Sequence, residues 1–188
     1  MTMSKLDKLI KTLCPDGVEY KTLKEVSEFR NGKGHEQAID ESGKYIVVNS
    51  KFISSNGVVC KYSNAQLVPL YKNEILMVMS DLPNGRALAK CFLVDEDDKY
   101  TLNQRIGALQ VKEAVIPKFL YYVLNRNSQL LRYDNGVDQT NLRKDDILAI
   151  KVPVPPMEVQ SEIVRILDNF TELTAELTAE LTARKKQY

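Results

Sequence analysis

The stretch Phe170–Arg184, FTELTAELTAELTAR, repeats a Thr-Ala-Glu-Leu unit, and no other feature restricts the fold of the chain so tightly. Four residues are slightly more than one turn of α-helix. Each unit therefore advances a helix by about 6 Å and rotates its apolar stripe by roughly 40°. Such a repeat suits a spacer, because one unit more or less changes both the distance and the phase between its ends. Followed back to Met157, the pattern predicts a single helix to Tyr188, about 48 Å long. Its apolar seam is Ile163, Ile166, Phe170, Leu173, Leu177 and Leu181. A seam this narrow fits a coiled-coil strand that needs a partner; the alternative is a tail packed on its own domain. Glu172, Glu176 and Glu180 fall in one i, i+4 row. Like charges there destabilise the helix unless cations face them, and Arg184, Lys185 or Lys186 of an antiparallel partner could do so. Within its own helix, Glu180 can also pair with Arg184.

The rest of the chain has a different texture. Leu6, Leu9, Ile10 and Leu13 recur at helical spacing between lysines, which predicts a short amphipathic helix over 3–14, stopped by the turn Cys14-Pro-Asp-Gly17. Short apolar runs then follow at 45–48, 57–62, 74–79, 87–94 and 107–111, broken by Asn31-Gly32, Asn56-Gly57, Pro83-Asn84-Gly85 and Asp95–Asp98. They read as strands of a curled, mainly antiparallel sheet. Pro117 fits the first turn of a helix running to about Tyr133. A loop over 134–141, a helical turn over 142–148 and a strand over 149–152 precede Pro153, Pro155 and Pro156, which close the globular part. The expected fold class is α/β: a mainly antiparallel β domain with packed helices over 1–156, then a long coiled-coil helix over 157–188.

Composition excludes little about partners. Lys+Arg 26 against Asp+Glu 25 leaves a net charge of +1, so a nucleic-acid binder would have to concentrate its cations on one face. No apolar run approaches the ~20 residues that cross a bilayer, and the N-terminus has no apolar signal core, so a cytoplasmic location is expected. Cys14, Cys60 and Cys91 are odd in number and widely spaced, which fits reduced thiols.

Enzyme signatures are sparse. One histidine, His35, cannot build a histidine-rich metal site. Its loop Asn31-Gly-Lys-Gly-His35 lacks the Gly-Lys-Ser/Thr ending of a phosphate-binding loop and reads as a flexible surface turn. There is no Gly-x-Ser-x-Gly elbow and no convincing Cys, His and Asp set. Asp16, Glu19 and Lys21 imitate the acid/acid/lysine set of metal-dependent nucleases, but their spacing is too tight for two strands, and a turn with a charged strand fits better. No Asn-Pro-Pro-Tyr or Asp-Pro-Pro-Tyr base clamp of adenine methyltransferases occurs. No catalytic residue, cofactor or metal site is expected. What remains are polar loops at 49–56, 80–86, 100–105 and 135–144, rich in Asn, Gln, Ser, Lys and Arg. Those side chains pair with base edges or grip phosphates, although loops are polar in any protein.

The order of four segments is distinctive. Leu13-Cys-Pro-Asp-Gly-Val-Glu-Tyr-Lys-Thr-Leu-Lys-Glu-Val26 resembles the start of a target-recognition domain in a type I restriction-modification specificity subunit (HsdS). Gly136-Val-Asp-Gln-Thr-Asn-Leu142, Ile147-Leu-Ala-Ile-Lys-Val-Pro-Val-Pro-Pro156 and Glu158-Val-Gln-Ser-Glu-Ile-Val-Arg-Ile-Leu-Asp168 resemble the exit from that domain into the family's long conserved helix, and the tetrads resemble its spacer repeats. The resemblance implies a non-catalytic subunit that binds double-stranded DNA, reads one half of a split target, and positions methyltransferase and restriction subunits. A complete member has two recognition domains and two such helices. This chain carries one of each, so it resembles a half subunit, natural or truncated, that pairs with an antiparallel helix of a second copy. On residue type and loop placement, Arg86 and Arg105 fit guanine; Gln104, Gln139 and Asn141 fit adenine; Lys51 and Lys144 fit phosphate; Asn49 joins them. The competing reading from another class is a coiled-coil protein-interaction module whose β domain binds a protein.

Overall fold

A computed structural model describes residues 3–83 and 85–185, and these fall into two compact units: Glu19–Val154, and Met1–Val18 with Pro155–Tyr188. In chain order the elements begin with α1 (Lys5–Leu13), β1 (Tyr20–Thr22), α2 (Leu23–Val26), β2 (Ser27–Asn31), β3 (Tyr45–Val48) and α3 (Ser50–Ser54). Then come β4 (Tyr62–Ser63), β5 (Ile75–Val78), β6 (Ser80–Asp81), β7 (Cys91–Leu93), β8 (Tyr100–Leu102) and β9 (Ile106–Val111). The last are α4 (Pro117–Leu124), α5 (Ser128–Leu131), β10 (Thr140–Asn141), α6 (Lys144–Leu148), β11 (Lys151–Pro153) and α7 (Met157–Lys185).

The 19–154 unit is mixed α/β. Its main sheet has the order β2-β9-β5-β7, all antiparallel, and a second has the order β4-β3-β8. The expectation of a mainly antiparallel arrangement holds with one exception: β3 and β8 run parallel, Val48 opposite Leu102. Two-stranded pairs β1-β11 and β6-β10 complete the set. The core lies where Leu76, Val78, Leu102, Ile106 and Ala108 meet Val48, Ile53 and Leu70, all essentially inaccessible. Phe52, Phe92 and Tyr100 pack edge to face there, with centroids 5.1 to 5.9 Å apart. The quadrupoles of aromatic rings favour that tilt over a flat stack. The Tyr100 hydroxyl escapes burial without a partner by donating to Asp95 at 2.7 Å.

Four sequence expectations need correction. The run 57–62 is mostly turn: Asn56 and Gly57 both take positive φ as they close α3, and Val58 is left 83% exposed, so only Tyr62 and Ser63 pair. The run 87–94 narrows to β7, because Ala89 turns the backbone at φ 54. The helix expected to reach Tyr133 breaks after Leu124. Arg126 adopts φ 58, its N–H is held by the Ala89 carbonyl at 2.8 Å, and Asn127 caps a separate short helix. Segments read as plain loops contain α3, β6, β8 and β10, elements too short for periodicity to reveal.

In the other unit, Ser4 and Asp7 form a reciprocal capping box that starts α1. Lys5 pairs with Glu162 of α7 at 2.8 Å, and Arg165 pairs with the same carboxylate at 2.6 Å. Arg165 first, then Lys5, hold the Glu162 carboxyl down to about 2. α7 is a single 29-residue helix, about 44 Å long. The last three residues of the expected helix lie outside the described ones. Beyond Asp168 every described residue of α7 is exposed. Inside the repeat, Thr174, Thr178 and Thr182 each donate their hydroxyl to the carbonyl four residues back, at 2.7 to 2.8 Å. Each tetrad thus satisfies its own polar side chain against the tetrad before it.

Candidate nucleic-acid interface

Strand registers decide which loops share an end of the 19–154 unit. Asn31 pairs with Gly107 and Val78 with Ile106, so β2 and β5 finish where β9 starts. Because β3 and β8 are parallel, Asn49 and Asn103 leave their strands on the same side. The two sheets are stitched together there. Lys33 N–H donates to Leu102 O at 3.2 Å, Gln104 N–H to Lys33 O at 3.0 Å, and Met79 N–H to Arg105 O at 3.0 Å. Leu142 N–H then donates to Met79 O at 2.7 Å, and Asn141 sits opposite Ser80. A continuous backbone path therefore joins residues 31–33, 49, 79–81, 103–106 and 139–141.

Most of the residues selected from sequence lie on that path, in differing states. Arg105 sits in the left-handed turn between β8 and β9, at φ 66, exposed and with no side-chain hydrogen bond or ion pair among the described residues. Arg86 is likewise exposed and unpaired among them. Its loop is drawn tight by Asp81, whose carboxylate accepts the N–H groups of Leu82, Ala87 and Leu88 at 2.7 to 2.9 Å. A Cβ on Gly85 would come within 2.2 Å of that carboxylate. Lys51 is exposed in the first turn of α3. The amides are busier. Asn49 caps α3 by accepting from Phe52 N–H at 3.0 Å. Gln104 donates to Glu36. Gln139 donates to Ser80 Oγ at 2.8 Å and to Asn141 Oδ1 at 3.3 Å, so it braces the β6-β10 pair. Lys144 stands apart, at the start of α6, with Nζ 5.8 Å from the Phe29 ring centroid.

Sequence reasoning passed over four residues that gather beside Asn49. His35, Glu36, Lys61 and Asn103 join it and Val47 around an open cleft of 330 Å³. The expectation of a surface turn around His35 is corrected. Its ring is 1% exposed and clamped between Lys33 O at 2.8 Å and Thr101 Oγ1 at 2.9 Å. A carbonyl can only accept, so Nδ1 carries the proton toward Lys33. No linear signal marks this burial, because it depends on the β3-β8 pairing.

On α7, Ile163 and Ile166 are half-buried, whereas Phe170, Leu173, Leu177 and Leu181 are 55 to 66% exposed. A shallow apolar recess of 190 Å³ runs past Ile166, Phe170 and Leu173. Among the described residues no cluster of three His, Cys, Asp or Glu could hold a metal ion, and no helix is long and apolar enough to cross a membrane. Burial pushes the Cys91 thiol far up, which makes it an inert part of the core.

The 19–154 unit gathers polar loops at one end of its short strands, and the other unit carries a long helix with an exposed apolar row. The family is plain from comparison: residues 15–184 match the type I restriction modification DNA specificity domain, and the chain belongs to that family. It is 47% identical over 175 residues to the type I restriction enzyme EcoR124I/EcoR124II specificity subunit of Escherichia coli, a match covering 84% of this chain and 42% of that protein. The fold is shared with the HsdS subunit from Thermoanaerobacter tengcongensis, at TM-score 0.64 and 17% identity over 88% of this chain and 40% of that one. It is also shared with a chain in a structure concerned with complex assembly and conformational transition of the type I R-M system, at TM-score 0.69 and 17% identity over 87% and 40%. The chain spans about two-fifths of the length of these relatives.

Proposed function

We propose that this chain reads one half of a split DNA target and catalyses nothing itself, leaving the reaction to methyltransferase and restriction subunits that it positions. The observation that carries this reading is the convergence of polar loops at one end of the sheets, with the guanidinium groups of Arg86 and Arg105 exposed and unpaired among the described residues. Free guanidinium forks fit guanine O6 and N7 in the major groove, and Lys51 fits the phosphate backbone. Lys144, on another element, also suits phosphate. Gln104, Gln139 and Asn141 reach adenine only by giving up their present partners. The test is Arg86→Ala and Arg105→Ala on cognate and scrambled duplexes. Each variant should lose about 1–3 kcal/mol of discrimination. An equal loss on both duplexes would move the residue to the phosphate backbone.

The helix over 157–188 then serves as spacer and pairing element, with the seam from Ile163 to Leu181 facing an antiparallel helix of a second copy. Two identical heads at the ends of such a pair would read an interrupted palindrome. Inserting one further Thr-Ala-Glu-Leu unit should lengthen the gap between half-sites in the sequences the protein selects; an unchanged gap rules out the spacer role. The exposed leucines also favour a second reading, in which the chain is a coiled-coil module for another protein. Salt separates the two, since phosphate contacts give a steep fall of affinity with ionic strength and protein contacts a shallow one.

A further inference from the structure

The cleft beside α3 contains a polar side chain that no other described residue engages. Asn103 lines it, and Asn103 Oδ1 is buried with no hydrogen-bond partner; the carboxamide makes no hydrogen bond to any described residue. Other polar groups at the cleft are committed: Asn49 caps α3, Glu36 accepts from Gln104, and the His35 ring is held between Lys33 and Thr101. A buried carbonyl left unbonded weakens a fold, so a side chain serving stability alone would be apolar here. The backbone beneath it is fixed. Asn103 N–H donates to Val48 O at 3.2 Å, Lys33 bridges it from the other side, and Gly32 lies so close that a Cβ would fall 1.9 Å from Asn103 O. Only the carboxamide is free to turn.

We propose that Asn103 is a base-reading residue, and that the cleft receives the major-groove edge of an adenine. This rests on the reading that the chain binds DNA. A carboxamide presents one acceptor and one donor side by side, which matches the N6 amino group and N7 of adenine. Guanine offers two acceptors on that edge, and the Glu36 carboxylate at the cleft repels them. Lys61, at the same cleft, can hold a flanking phosphate. Turning the side chain about its two torsions presents both amide atoms to the cleft, and no hydrogen bond to a described residue resists it. The cleft is of the size at which small-molecule sites begin, about 300 Å³.

The experiment starts by selecting a target from randomised duplexes with the chain and its methyltransferase subunit. Each adenine of the target is then replaced by 2′-deoxynebularine, which lacks N6, or by 7-deaza-2′-deoxyadenosine, which lacks N7. The wild type should meet one adenine at which either analogue weakens binding about tenfold. Asn103→Ala should be weaker on the natural target by a similar factor and indifferent to both analogues at that position. Asn103→Asp, which keeps acceptors and loses the donor, should stay sensitive to the loss of N6 alone. Free Asn103→Ala should melt no lower than the wild type, since the removed amide had no partner; Asn103→Ser provides the same check if the alanine variant folds poorly. A variant as analogue-sensitive as the wild type, or alanine and serine variants that both melt lower, overturns the role of Asn103 and leaves DNA reading intact. A wild type without any sequence preference overturns both.

Discussion

Leucine has two fates in this chain. Leu76, Leu102 and Leu109 in the sheets are wholly inaccessible, whereas Leu173, Leu177 and Leu181 on α7 are 55 to 66% exposed. The residue type is the same, and the difference lies in what surrounds it. In the head, strands from distant parts of the chain cover one another, so the apolar face is closed by the molecule itself. In the rod, the four-residue repeat turns its leucine row steadily around the helix, and no described residue of the unit covers it. The head is finished as folded. Beyond Asp168 the described hydrogen bonds and ion pairs of α7 are local, and its apolar row is where a second helix would contribute.

The widest gap between the two regions is predicted for leucine truncation. Leu109→Ala removes a buried side chain flanked by β2 and β5 and should cost about 3 kcal/mol in thermal or denaturant unfolding. Leu177→Ala, measured at a dilution where chains are separate, should change stability by under about 0.5 kcal/mol. At high concentration the second value should grow as pairing sets in. A large, concentration-independent effect of Leu177→Ala would show that the rod is already covered, and the contrast would fail.

Next in size is the ion pair that anchors the edge of the main sheet. Arg30 reaches both oxygens of Glu74 at 2.6 and 2.7 Å, and the same carboxylate accepts Tyr71 N–H at 2.9 Å. Glu74 is 4% exposed and Arg30 34%. Glu74→Ala should cost about 2 kcal/mol, less than a fully buried pair would, because water still reaches the guanidinium. The head should melt earlier while amide exchange in α7 stays as it was. Equal loosening of both would mean that the two units unfold together.

The sequence was most legible where structure is local and repetitive. α1, its turn at Cys14–Gly17, the proline start of α4 and the long α7 all follow from caps, prolines and spacing. Legibility ended where a contact between distant segments decides the outcome. Ala89 and Arg126 look like helix or strand interior, yet both turn left-handed because each backbone is tied to the other across 37 positions of chain: Arg126 N–H meets Ala89 O. For the candidate interface, residue type picked out loops that converge at one end of the sheets, but not which of their side chains are free. Arg86 and Arg105 stand unpaired among the described residues, Gln104 and Gln139 are spent on neighbours, and Asn103, adjacent to a chosen residue, went unnoticed. Charge and polarity are written in the sequence. Whether a polar group is already satisfied depends on the fold.

The smallest effect is predicted at the base of the rod, where α7 changes from buried to exposed. Glu162 is 3% exposed but shared between two cations that are themselves open to water, Lys5 at 69% and Arg165 at 55%. Arg165 and Lys5 depress its pKa from an ordinary 4.5 to about 2. A depressed acid binds its proton more weakly folded than unfolded, so the pair contributes above pH 4.5, and that contribution disappears as pH falls through about 2. Glu162→Gln should therefore loosen α1 against α7 at neutral pH, seen as faster amide exchange in α1. The difference from wild type should shrink between pH 4.5 and pH 2 and also fade at high salt, because both cations are screened. If the difference persists at pH 2, the glutamate acts by packing rather than by charge, and the base of the rod behaves like the head.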